Sequence, residues 1–181
     1  SLSSVDHAIW LAPDNCILYS DRGDLYKLYG HTDWAMREYA RALEVDAMCV
    51  SAREARASAY NDMKRYDDAI TDLNEAIRLR ESEPGGVWEK HLLISGLRVR
   101  GDLYMVQKRY NLAISDYTDM IGMSTSDEAD TYRKRAIAYM SEHEYQKALD
   151  SLQPYLVKNQ HPTSEILMLI EQLNGLLKSQ P

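Results

Sequence analysis

Five histidines (His7, His31, His91, His143 and His161) and two cysteines (Cys16 and Cys49) are the side chains on which metal or nucleophilic chemistry would draw. Metal binding needs them to converge, as two histidines do one turn apart in H-E-x-x-H or two thiols do in C-x-x-C. Neither spacing occurs. No serine stands in a G-x-S-x-G elbow, and neither a G-x-x-x-x-G-K-S/T loop nor a G-x-G-x-x-G turn is present to cradle phosphate. The carboxylates are many but scattered. Arg-Gly-Asp occurs at residues 22–24 and 100–102, yet both copies read as mid-helix packing positions rather than an exposed ligand loop. The expectation is a chain that is not an enzyme, with no catalytic, cofactor-binding or metal-binding residues.

Composition narrows the partners. A formal charge of -7 disfavours nucleic acid, which is bound by a basic face. At 45% apolar and 27% charged residues the chain can bury a sizeable core. No apolar run approaches the roughly 18 residues of a membrane span, so membrane insertion is not expected. The N-terminus lacks the charged-then-apolar pattern of a signal peptide. Two cysteines are too few for a disulfide framework, which points to a reducing, cytoplasmic setting.

The elements that must position any site show themselves as a repeat. Gly23, Ala57, Gly101 and Ala136 align with spacings of 34, 44 and 35 residues. Three residues later stands a tyrosine each time: Tyr26, Tyr60, Tyr104 and Tyr139. Twelve residues after the small residue stands an alanine: Ala35, Ala69, Ala113 and Ala148. Tyr39, Leu73, Tyr117 and Leu152 share a further register, and a second small slot holds Ala42 and Ala76 but Met120 and Tyr155 later. Apolar residues recur at i, i+3, i+4 and i+7 over two successive stretches in each unit, the pattern of paired amphipathic helices. Asp33, Asp67 and Asn111, at or near the starts of second helices, are expected to accept hydrogen bonds from their unpaired N–H groups.

Tyr19, Gly23, Tyr26, Gly30, Ala35, Tyr39 and Ala42 resemble the consensus of the tetratricopeptide (TPR) family, and the second unit resembles it nearly as well. The likeness implies an all-α fold: a right-handed α-solenoid of stacked antiparallel helix pairs, closed by a C-terminal capping helix. Residues 1–15 read as the end of a truncated preceding repeat, through Ala8, Leu11 and Pro13. Units follow at 16–49, 50–83, 84–127 and 128–162, and 163–181 forms the cap. Ala47 and Glu81 depart from the family pattern by standing where a helix-ending proline is usual.

Further expectations follow within this frame. Arg22, Arg56 and Arg100 each stand 16 residues before an acid (Glu38, Asp72 and Asp116), which predicts a pair bridging the two helices of a unit; the fourth unit has Arg135 and Ser151 there. The 44-residue spacing marks an insertion near Ser82-Glu83-Pro84-Gly85-Gly86, followed by one longer helix from Val87 to Val106 with Trp88 and Leu92 on its apolar side. It reads as a tolerated loop, or else as a protrusion that contacts a partner. Pro154 should kink or end the fourth unit's second helix, and Met120 and Gly122 weaken the third unit's. Thr163 to Lys178 form an amphipathic helix, a cap over the exposed end or else a dimerisation helix.

First helices of such stacks line a concave face. By register, the peptide-groove residues are Ser20, Asp21, Asp24 and Lys27; Glu54, Ser58 and Asn61; Arg98, Asp102 and Met105; and Arg133, Lys134 and Ile137. Ala55, Val99 and Met140 lie beside them. The face begins acidic and becomes basic, matching a partner segment of opposite polarity. The co-chaperone clamp for a heat-shock protein's C-terminal carboxylate needs asparagines where this chain has Asp24 and Ala55, Ser58 and Val99, or Asp102 and Lys134. The asparagine ladder of the sugar-transferase type is replaced by Asp21, Ala55, Val99 and Lys134. The function expected is a scaffold or adaptor that holds a peptide segment or partner helix of another protein. The alternatives are a regulatory or targeting arm of a larger enzyme or co-chaperone, and a self-association module.

Overall fold

The computed structural model describes residues 1–82, 87–123, 129–159 and 161–179. The described residues hold ten α-helices and no strand: α1 (Leu2–Leu11), α2 (Cys16–Leu28), α3 (Thr32–Val45), α4 (Val50–Asp62), α5 (Tyr66–Ser82), α6 (Val87–Val106), α7 (Tyr110–Met123), α8 (Ala129–Ser141), α9 (Tyr145–Lys158) and α10 (Ser164–Lys178). The chain forms two compact units, residues 1–89 and 90–181. In the first, α2 pairs with α3 and α4 with α5, with α1 laid against α2. In the second, α6 pairs with α7 and α8 with α9, and α10 packs on both α8 and α9.

The recurring small residues are where these helices meet. Ala35, Ala69, Ala113 and Ala148 are all fully buried, as are Tyr39, Tyr117 and Leu152. Two solutions to one packing problem alternate along the chain. Units with glycine in the small slot place a tyrosine ring against it: a Cβ added at Gly23 would lie 2.5 Å from Tyr39 Cε1, and one at Gly101 2.8 Å from Tyr117 Cε1. Units with Ala57 or Ala136 in that slot carry the smaller Leu73 or Leu152 in the tyrosine register. The volume given up on one helix is taken by the other, as close packing requires.

Each first helix ends the same way. Gly30, Lys64, Lys108 and His143 adopt left-handed backbone (φ 80°, 59°, 59° and 60°). The next N–H then reaches back to a tyrosine carbonyl: His31 to Tyr26, Arg65 to Tyr60 and Arg109 to Tyr104 at 2.8 Å, and Glu144 to Tyr139 at 3.0 Å. This is the 6→1 closure that satisfies the orphan carbonyls of a helix end and turns the chain into the second helix. It also corrects the capping expectation at α3. Residue 31 is the N-cap of α3 and makes no side-chain cap bond, while Asp33 and Asp67 lie inside the first turns of α3 and α5. There they favour the positive end of the helix as charges. Asn111 is the second residue of α7.

The arginine registers behave as expected. Arg22 Nη2 donates to Glu38 at 2.8 Å, Arg56 grips Asp72 through two bonds of 2.7 Å, and Arg100 grips Asp116 at 3.0 and 2.6 Å. Arg135, facing Ser151, donates instead to the Ser151 carbonyl at 3.0 Å. Burial raises the Asp116 carboxyl above its ordinary value, against the pull of Arg100.

Two expectations change. Pro154 does not end α9, which runs on to Lys158; the carbonyl left without a donor is that of Asp150, an exposed residue, where water can replace the bond. Cys16 and Cys49 form a disulfide, with Cα atoms 6.2 Å apart. Cysteine count therefore no longer supports a reducing compartment, since disulfides persist mainly in oxidising ones. α7 is helical over 14 residues, with Met120 buried in the slot of Ala42 and Ala76. Residues 83–86 of the insertion and the side chain of Trp88 lie outside the described residues; Leu92 is half-exposed. α10 buries Ile166, Leu169 and Leu173 over the core of α8 and α9. No described helix is long and apolar enough to cross a membrane.

Candidate protein-interaction face

In the first unit, α2 and α4 lie against each other, and each packs on its own second helix, α3 and α5. Lys27 ties the two together: its Nζ reaches Ser58 Oγ at 2.7 Å and Asp62 Oδ2 at 2.8 Å. Asp21, Asp24, Ser58 and Asn61 are exposed on this face. Asp24 is not a loose surface charge. The Tyr39 hydroxyl, passing through the Gly23 notch, donates to Asp24 Oδ1 at 2.7 Å. Burial and the neighbouring Asp24 raise the Asp21 carboxyl above its ordinary value. Glu54 is held by a two-bond grip from Arg80 of α5, at 3.0 and 2.8 Å. Ser20 is 2% exposed, so it belongs to the core and offers no side chain to a partner.

The second unit repeats the arrangement on α6 and α8. The Tyr117 hydroxyl donates to Asp102 Oδ1 at 2.7 Å, and Lys134 Nζ reaches both oxygens of Asp102 at 2.9 and 2.8 Å. Arg133 pairs with Asp130 at 2.6 Å and approaches Glu165 of α10 at 3.3 Å. Arg98 and Val99 are exposed, and Asp102, Met105, Arg133, Lys134 and Ile137 are partly exposed. Two cations of the basic end expected from register are thus matched: Asp130 and Glu165, outside the aligned positions, face Arg133, and Asp130 also approaches Lys134. The carboxylate-clamp geometry is further disfavoured, because Lys134 is already engaged with Asp102.

Among the described residues no group of three or more histidine, cysteine or acidic side chains stands close enough to hold a metal ion. Register missed several features: the disulfide, the Arg80–Glu54 grip, the tyrosine bonds to Asp24 and Asp102, and a cavity between α8 and α10. Two signals were present. Helices α2 and α4 begin 34 residues apart, so Cys16 and Cys49 stand at neighbouring ends. The coupled change from Gly–Tyr to Ala–Leu announces the notch. The Arg80 bond had no signal, because that residue follows no repeat.

A tetratricopeptide-repeat family model matches residues 50–83. No curated protein sequence matches the chain significantly. Solved structures match over most of its length. MamA aligns at 18% identity and a TM-score of 0.68, over 87% of this chain and 85% of that one. YrrB, described as a TPR protein with an unusual peptide-binding site, aligns at 12% identity and a TM-score of 0.71, over 99% and 95%. PilF of Pseudomonas aeruginosa aligns at 16% identity and a TM-score of 0.69, over 96% and 74%. At such identities the likeness is one of fold.

Proposed function

For a chain that is a tetratricopeptide-repeat protein by its matched repeat and its fold, we propose a non-enzymatic scaffold or adaptor that holds a segment or helix of another protein against its first helices. The TPR fold is a known protein–protein interaction module; what the reading adds is the face. One observation carries it. On both units the first helices present a surface whose polar groups are already oriented by side chains from behind or beside, Tyr39 and Lys27 in one, Tyr117 and Lys134 in the other. Donors and acceptors fixed before a partner arrives lower the ordering cost of association. The second helices, by contrast, show mainly short pairs along one helix, such as Arg78 with Glu75 and Lys147 with Glu144.

The test uses two exposed positions, Asn61 on α4 and Val99 on α6. The full-length protein is produced in its own cells, and co-purifying proteins are quantified for Asn61→Arg and Val99→Arg against Thr71→Arg on α5. At least one protein retained by wild type and Thr71→Arg should fall tenfold or more with the first two, while helicity stays unchanged. Co-purification indifferent to both would remove the first helices from the account.

A further inference from the structure

Between α8 and α10 the second unit has a shallow cavity of about 520 Å³ that is largely open to solvent. Ile137, Met168 and Leu169 form its apolar surface, and Arg133, Glu165 and Glu171 stand around it. Leu169 is 7% exposed and fixed in the core below α10, whereas Met168 is 69% exposed although it is a large apolar side chain. α10 buries Ile166, Leu169 and Leu173 in the core and leaves Leu167 and Met168 exposed, and of these two it is Met168 that lines the cavity. A space of this size accepts one or two large side chains rather than a whole helix.

The rim decides what should accompany the apolar group. Arg133 is matched by Asp130 and Glu165. Glu171, exposed at the rim, has no ion-pair partner among the described residues. The lining thus carries two carboxylates against one guanidinium that is already paired, and an arriving anion would meet repulsion. We propose that this cavity is the anchor site for a protein segment that inserts a leucine-, methionine- or phenylalanine-sized side chain, with a lysine or arginine beside it meeting Glu171. The inference rests on the reading that the first-helix face binds a protein segment, and it reverses the acidic partner that register alone suggests for this end.

The experiment uses three probes that share an apolar body and differ in charge: 4-phenylbutylamine, 4-phenylbutanol and 4-phenylbutyrate. Each is titrated into the full chain with labelled isoleucine, leucine and methionine methyl groups. The amine should shift the Ile137, Met168 and Leu169 signals and bind at least threefold more tightly than the alcohol, with the butyrate weakest. Glu171→Gln, a change at an exposed position, should bring the amine to the affinity of the alcohol. Silent methyl signals, or an amine no tighter than the butyrate, would overturn the proposal. So would signals that move with protein concentration alone, since a second copy would then fill the cavity. These readouts are local to α8 and α10. Their failure beside intact loss of partner in Asn61→Arg removes only the anchor; their success without that loss removes only the broader face.

Discussion

Tyr117 lays its ring across Gly101 and donates its hydroxyl to Asp102 on the far side, at 2.7 Å. The same three-residue relation joins Tyr39, Gly23 and Asp24. The packing core and the exposed face of the first helices are thus coupled through a notch one methyl group deep.

Filling that notch should reveal the coupling. Gly101→Ala gains about 1 kcal/mol of helix propensity, but the buried ring cannot withdraw, and overpacking costs about 1–3 kcal/mol. Net destabilisation is expected in the wild-type background. With Tyr117→Leu, which recreates the Ala57–Leu73 pairing, the same substitution should be neutral or stabilising. Urea denaturation of the four proteins measures the sign change, and additive effects would mean the ring and the notch are independent.

The buried phenols predict alkaline sensitivity. Burial first, and then the bonded carboxylates, hold the Tyr39 and Tyr117 hydroxyls well above the ordinary phenol value near 10. The folded chain therefore keeps protons that the unfolded chain releases. Stability is fully present below pH of about 10 and falls as pH rises past it, by roughly 1.4 kcal/mol per pH unit per tyrosine. Tyr39→Phe and Tyr117→Phe should each flatten that slope between about pH 10 and 12. A slope unchanged in both variants would show that these hydroxyls ionise freely.

Arg135 is the arginine of its register without a carboxylate. Burial lowers its affinity for a proton, and its Nε has no partner. Ser151→Asp restores the residue type that Asp116 supplies to Arg100. A gain of about 1–2 kcal/mol is expected, the range of a charge-assisted bond less its desolvation. Thermal unfolding checks it, with Arg135→Met as the control in which the gain should vanish.

The disulfide closes a loop with a sequence separation of 33 residues. Loop-closure entropy makes it worth roughly 3–4 kcal/mol. Reduction should lower the urea midpoint accordingly, and a thiol count on the unreduced, denatured protein should find none. Two titrating thiols would refute the bond.

Much of the fold was legible because repetition multiplies weak signals. One spacing of a small residue, Tyr and Ala means little; four in register fixed the helix pairs, and the 16-residue arginine–acid offset located bonds that the structure contains. Part of what stayed hidden depended on residues outside the repeat. Asp130, Glu165 and Arg80 changed the charge balance of the face, yet none occupies an aligned register. Ser20 failed as a surface residue because register gives direction around a helix, not the depth of its neighbours. Pro154 was expected to kink or end its helix; it does not end it, because the cost of a proline depends on whether the bereaved carbonyl meets water.

The first-helix face itself is most directly tested by photocrosslinking in the cells that produce the full protein. A benzophenone amino acid is placed singly at Asp21, Asn61 and Val99 on the first helices, and at Thr71 and Asp119 on the second. Covalent adducts with another polypeptide should form from the first three positions and be weak or absent from the last two. Adducts confined to Thr71 and Asp119 would place the partner on the opposite flank and contradict the account.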